Sequence, residues 1–256
     1  MKDTILRENT TINCKGNLLS VASPIVMGII NCTPDSFYDG GVITSIENAL
    51  SQAEKHINEG ATIIDIGGYS SKPGASEVSE TTELARTIPV IQSISKKFPK
   101  TIISIDTFRS SVARKAIECG AHIINDISAG ELDKNMIPTA GELQVPYIMM
   151  HMKGTPQTMQ QHTNYQNLTK ELLFYFSERI AAARHWGLVD LIVDPGFGFD
   201  KTLEGGFAFQ DSVDSGASQE DAAKVASIVG IVAATGIRLL AMKFNWNLPR
   251  VKDSVD

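Results

Sequence analysis

The chain has 256 residues, 43% hydrophobic and 20% charged, with a formal net charge of −6, the balance of a globular protein able to bury a sizeable core. No basic run supports a nucleic-acid partner, and no apolar stretch approaches the ~20 residues of a membrane span. Cys14, Cys32 and Cys119 are far apart and outside any CxxC, and the start "MKDTILRENTTINCKGN" lacks a signal-peptide core; both predict a cytoplasmic chain with reduced thiols.

In chain order, "TTINCKGNLLSVAS" (10–23) predicts a hairpin turning at Gly16–Asn17. Six apolar runs follow: "IVMGII" (25–30), "TIIDIG" (62–67), "TIISID" (101–106), "HIIND" (122–126), "VPYIMMH" (145–151) and "LIVD" (191–194). They are continuous in Ile and Val rather than alternating, as in parallel strands covered on both faces. Helical patterns separate them. Ile46, Leu50, Ala53 and Ile57 share one face of a helix over 45–60, with Thr44 and Glu47 as its capping box. Val112 and Ala116 mark a second helix stopped by Gly120, and Leu168, Leu172, Phe176, Ile180 and Ala183 mark a long third one before Gly187.

About six βα repeats suggest a (β/α)8 barrel or a doubly wound sheet. Asn31, Asp65, Asp106, Asn125 and Asp194 each end, or nearly end, a strand. In a barrel all five converge on the C-terminal mouth, where such folds keep their active sites, and a doubly wound sheet would spread them along an edge. The barrel is therefore the favoured fold, in one domain over 1–256, with the hairpin (1–22) plugging its floor.

The strand-end loops carry the remaining chemistry. "MGIINCTPDSFYDGG" (27–41) offers Asp35, Ser36 and Phe37 on a breakable loop able to close over a ligand; a plain polar turn is the other reading. In "DIGGYSSKPGA" (65–75), Gly67 and Gly68 admit close backbone approach, and Ser70, Ser71 and Lys72 offer donors to an anion such as phosphate; the alternative is a long Gly-Ser connection. "SIDTFRSSVARKAIECGAHIINDISAG" (104–130) brings Asp106 and the pair Asn125–Asp126 to neighbouring strand ends. Buried acids need partners, and three are open: helix-borne Lys or Arg, a metal such as Mg2+, or a ligand rich in N–H donors such as a fused aminopyrimidinone. Of the histidines only His151 lies near a strand end, where a structural role is favoured over a catalytic one. There is no GxSxG for a nucleophilic serine.

Taken in order, "GIINCTPDSFYDGG", "DIGGYSSKPGA", "SIDTFRSSVARKAIECGAHIINDIS", "MHMKGTPQTMQ" and "VDPGFGF" make residues 12–204 resemble dihydropteroate synthase of the folate pathway. The resemblance implies a (β/α)8 barrel that joins 6-hydroxymethyl-7,8-dihydropterin diphosphate to p-aminobenzoate, releasing diphosphate, with Mg2+ as cofactor, sulfonamides as inhibitors and a homodimer as assembly. It implies Asp35, Asp106 and Asp194 as catalytic acids, and a pterin held by Asp106, Asn125, Met150 and Asp194. Diphosphate falls to Asn31, Ser71 and Lys72, with Asn31 also beside the metal. The p-aminobenzoate wall falls to Phe37, Ser71, Pro73 and Phe199. The implied reaction is dissociative: diphosphate leaves and the aniline nitrogen captures a cationic pterin methylene, which interior acids favour electrostatically.

The chain departs from the family pattern in two places. Tyr69, Ser71 and Lys72 stand where Glu, Thr and Arg are usual, and Lys72 keeps the charge without the planar fork. After Glu204 no "SRK" follows, so the barrel is expected to be incomplete or atypical at its seventh and eighth βα units, over 205–256. "IRLLAMKF" (237–244) offers a seventh or eighth strand, with Lys243 as a replacement lysine or a solvated one, and "PRVKDSVD" echoes the last family motif with Lys252 in place of His. An open barrel would expose two strand edges. The alternative functions are a pterin-binding homologue without turnover and a pterin-dependent methyltransferase.

Overall fold

A computed structural model of the chain describes residues 11–33, 41–69, 78–159, 162, 164–197 and 199–201. The candidate residues Asp35, Phe37, Ser71, Lys72 and Pro73, and the segment 205–256 with Lys243 and Lys252, lie outside the described residues.

The hairpin pairs β1 (Thr11–Cys14) with β2 (Asn17–Ser20). Its turn is Lys15–Gly16, one residue earlier than the sequence predicts, because a two-residue turn of this hand needs positive φ at both positions. Lys15 has φ 53° and Gly16 φ 91°, which leaves Asn17 as the first residue of β2.

Six parallel strands follow, hydrogen-bonded in sequence order: β3 (Val26–Asn31), β4 (Ala61–Gly67), β5 (Ile102–Asp106), β6 (Ile123–Asp126), β7 (Tyr147–Met150) and β8 (Leu191–Asp194). Strictly sequential order has no switch point, which favours barrel winding over a doubly wound sheet. All six predicted strands are present, within two residues of their expected ends.

Side chains alternate between two faces. Ile30, Ile64, Ile66, Ile103, Ile105, Ile124, Tyr147, Met149 and Val193 pack outward against the helices in one large core. Ile63, Ile102, Ile123, Ile148 and Ile192 face the other way and form a separate cluster with Ile12, Cys14 and Leu19 of the hairpin. The hairpin therefore closes the N-terminal end of the sheet's inner face, as the sequence predicts for a floor plug. The Asn13 amide donates to Asp190 Oδ2 at 2.9 Å and Lys15 Nζ to the Ile117 carbonyl at 2.8 Å, fixing it there.

The helices are α1 (Gly41–Asn58), α2 (Glu80–Lys97), α3 (Ser110–Glu118), α4 (Met136–Leu143) and α5 (Leu168–His185). Helix α1 starts upstream of the predicted capping box: Thr44 and Glu47 already lie inside it, so Thr44 cannot take the extended N-cap conformation. Helix α2, which the sequence reading did not name, contains Pro89. Ser79 caps it by accepting from the Thr82 amide at 3.2 Å, and Glu83, Thr87, Val90, Ile91 and Ile94 bury one helical face.

Candidate active site

The inner face changes character along its height. Below, the isoleucines meet the hairpin; above, Asn31, Asp65, Asp106, Asn125 and Asp194 replace them at or near the ends of five strands, and Met150 ends β7. Register sets Asn31 beside Gly67, Gly67 beside Asp106 and Asp106 beside Asn125. One pleat lower Asp65 lies beside Ser104, and on the far side Met150 pairs with Asp194. The structure thus brings Asn31, Asp65, Asp106, Asn125, Met150 and Asp194 to one mouth.

Gly67 makes room there. A Cβ on it would lie 3.2 Å from Asp106 Oδ2 and 3.6 Å from Asn31 Oδ1, so those two oxygens converge over a residue without a side chain. Beneath them Asn125 Nδ2 donates to the buried Asp65 carboxylate at 3.1 Å. Ser104 is also buried, and its hydroxyl has no hydrogen-bond partner among the described residues. At Asp194 the carboxylate folds back to accept from the Gly196 amide at 2.8 Å. Gly196 has φ +69°, and a Cβ on it would come within 2.5 Å of the His151 carbonyl, so this turn requires glycine.

Asp126 does not join its neighbour Asn125 at the mouth. Pleating turns it to the helix side, where it is fully buried and accepts from the Ser128 amide and hydroxyl at 2.8 Å each, the Gly130 amide at 2.7 Å and the Tyr147 hydroxyl at 2.7 Å. Burial raises its pKa, and the four donors work against that rise. It organises the turn after β6 and is structural.

An apolar wall stands beside the acids. Ile127, Met150, Met152 and Met159 cluster, with Phe108 and Phe199 packed on them. These residues follow or end β5, β6, β7 and β8, and Phe199 packs on this cluster beside the mouth.

The flanking loops are tied to each other. Arg109 donates to the buried Glu83 carboxylate and to the Val78 carbonyl at 2.6 Å, and its guanidinium lies 4.7 Å from the Phe108 ring and 5.7 Å from the Tyr69 ring. Tyr69 packs edge-on to Phe108 and accepts from Gln157 Nε2 at 2.6 Å. Arg109 therefore touches the residues on both sides of 70–77. Sequence reading missed it, since its only signal is an Arg three residues past a strand-end acid.

A buried charged group lies behind β7 and β8. Asp200 accepts from the Lys153 amide and the Tyr165 hydroxyl, each at 2.7 Å, and from the Lys201 ammonium. His151 is buried edge-on against Tyr175, with Nδ1 3.7 Å from Asp200 and without a hydrogen-bond partner among the described residues. Burial pushes its pKa down to about 4, so the ring is neutral at pH 7. Lys201, also missed, brings its ammonium within 3.3 Å of where a Cβ on Gly196 would sit.

As for a metal, no cluster of three or more His, Cys, Asp or Glu able to hold one occurs among the described residues. Asn31 Oδ1, at the exposed rim, is a hard neutral oxygen of the kind Mg2+ accepts when water and phosphate oxygens complete its shell, so the donor present fits that ion. No helix among the described residues is long and apolar enough to cross a membrane.

Comparison with known proteins agrees with this geometry. A family model described as pterin binding enzyme matches residues 27–235, continuing past Glu204. The chain is 47% identical over 181 residues to a dihydropteroate synthase of Synechocystis sp., an alignment covering 70% of this chain and 62% of that protein. The chain thus spans less than two thirds of that relative. Among solved structures, the Yersinia pestis dihydropteroate synthase with a sulfonamide drug superposes with a TM-score of 0.73 at 36% identity, covering 80% of this chain and 75% of that one. The Xanthomonas albilineans dihydropteroate synthase with 4-aminobenzoic acid gives 0.70 at 36% identity, covering 80% and 72%.

Proposed function

Because the chain belongs to the pterin binding enzyme family, we propose that it acts as a dihydropteroate synthase, joining 6-hydroxymethyl-7,8-dihydropterin diphosphate to p-aminobenzoate. The observation that carries this reading is the inner face itself: Asp106, Asn125 and Asp194 ring a mouth walled on one side by Met150 and Phe199. A pterin is a flat ring with an N–H and NH2 edge. The edge suits carboxylate and amide oxygens, and the ring suits the methionine wall.

In this reading Asp106, Asn125 and Asp194 take the pterin edge. Asn31, with Ser71 and Lys72, takes the diphosphate, and Phe37, Ser71, Pro73 and Phe199 face the arylamine. The bond between the pterin methylene and the diphosphate oxygen breaks, the electron pair leaves with diphosphate, and the arylamine nitrogen forms the new C–N bond and loses a proton. Asp106 and Asp194, with Asp35, favour the positive charge that develops on the pterin. The arylamine is neutral at pH 7, so no strong base is needed. Mg2+, held through Asn31, supplies neutralising charge to the diphosphate when bound. The relative bound to a sulfonamide supports expecting such drugs to compete with the arylamine here. Free Cys14, Cys32 and Cys119 support a cytoplasmic setting, and a homodimer is tested by sedimentation.

Calorimetry with the pterin diphosphate, paired with a turnover assay for diphosphate release, tests the reading. Binding plus arylamine-dependent release is expected. Binding without release would leave a pterin-binding protein and sink the synthase reading. Asp106→Ala should weaken pterin binding by roughly ten- to a hundredfold, the worth of one or two hydrogen bonds to a charged group. Unchanged affinity would show that the pterin edge lies elsewhere.

A further inference from the structure

The positive charge that faces Asp194 from the described residues comes from its own loop. Lys201 has a fully buried side chain. Its ammonium donates to the His151 carbonyl at 3.0 Å and to the Asp200 carboxylate. The His151 amide in turn donates to the Asp194 carbonyl at 3.0 Å, so the ammonium is fastened to the ladder between β7 and β8. The same Nζ stands 3.3 Å from where a Cβ on Gly196 would sit, with Met150 Cγ at 3.1 Å. Gly196 is the residue whose amide holds Asp194 Oδ1. An ammonium carries three protons, and two have acceptors among the described residues. Burial lowers the pKa of Lys201, while the carboxylates of Asp200 and Asp194 act to raise it.

We propose that Lys201 is a positioning residue for Asp194. Its buried ammonium fixes the Gly196 turn against β7 and so holds the Asp194 carboxylate in place at the mouth, with positive charge behind it. The role differs from that of a strand-end lysine contacting the ligand: Lys201 is enclosed and acts through Gly196 and Asp194.

The test uses the full chain with Lys201→Met, which keeps side-chain length and removes the charge. Amide hydrogen exchange at Gly196, followed by NMR, reads the bond to Asp194, and Asp194→Ala, which removes the acceptor, sets the scale for its loss. Exchange at Gly196 should quicken about tenfold in K201M as the turn opens locally. An unchanged rate in a folded K201M overturns the proposal. Should K201M fail to fold by circular dichroism, Asp200→Asn loosens the ammonium less severely and should quicken exchange about threefold; no change there overturns it equally. A second arm rests on the synthase reading. K201M should raise KM for the pterin diphosphate about tenfold while KM for p-aminobenzoate stays within about twofold. An equal rise for both substrates points to general loosening and overturns the positioning role. If the unaltered chain turns over no pterin substrate while Gly196 still responds, the synthase reading fails and the positioning role stands.

Discussion

Asn125 and Asp126 are neighbours in sequence with opposite duties, because a strand sends successive side chains to opposite faces. Asn125→Ala should weaken pterin binding and leave the urea midpoint nearly unchanged. Asp126→Ala leaves the Tyr147 hydroxyl and two buried amides without an acceptor, and should cost roughly 3 kcal/mol or more of stability by urea unfolding. Equal stability losses at both positions would mean that the two faces are misassigned. His151 makes a separate contribution that depends on pH. Its ordinary pKa is 6.5, and the fold pushes it down to about 4. Between those values the unfolded chain takes up a proton that the folded chain refuses. The stability it confers is thus complete above about 6.5 and is lost as the pH falls toward about 4, a total of roughly 3 kcal/mol. Denaturation at pH 7 and pH 4.5 should show a larger acid loss in the unaltered chain than in His151→Phe. Parallel losses would assign the acid sensitivity to another group.

At the scale of elements, the hairpin closes the inner core from below. Leu19 and Ile12 meet the five inner isoleucines of β4 to β8, so Leu19→Ala opens a cavity at the floor and should cost about 2–4 kcal/mol. Urea unfolding measures that cost, and ligand affinity should not follow it, since the mouth lies at the other end of the strands. The strands were legible because their Ile and Val runs are long and bounded by turn residues. The acids at their ends were legible for the same reason: each polar residue interrupts an apolar run. What escaped sequence reading depends on contacts between distant segments. Helix α2 hides behind Pro89, which argues locally against a helix, while its buried face is fixed by packing. Arg109, Lys201 and Ser104 carry no local pattern; only the fold sets them beside Val78, His151 and Asp65. Asp126 was read as a second acid at the mouth because its strand ends there, and the direction of its side chain becomes evident only once the pleat is known.

For the molecule as a whole, sequential strand order is the decisive feature. Six strands wind in one sense, and among the described residues β3 and β8 each have a neighbour on one side only. The polar upper rows and the apolar lower rows therefore belong to one curved surface rather than to two separate patches. Among the described residues the hairpin blocks that surface at its lower end, which leaves the end where the acids stand as the way in. In a blind alley, the molecule that parks deepest must arrive before the one that parks behind it, and it must wait for that one to clear before it leaves. In the proposed function the pterin takes the level of Asp106 and Asn125, and the arylamine lies nearer the doorway at Phe199. p-Aminobenzoate should accordingly show measurable equilibrium binding only after the pterin position is filled, and tight binding of p-aminobenzoate to the empty protein would show that the alley has a second way in.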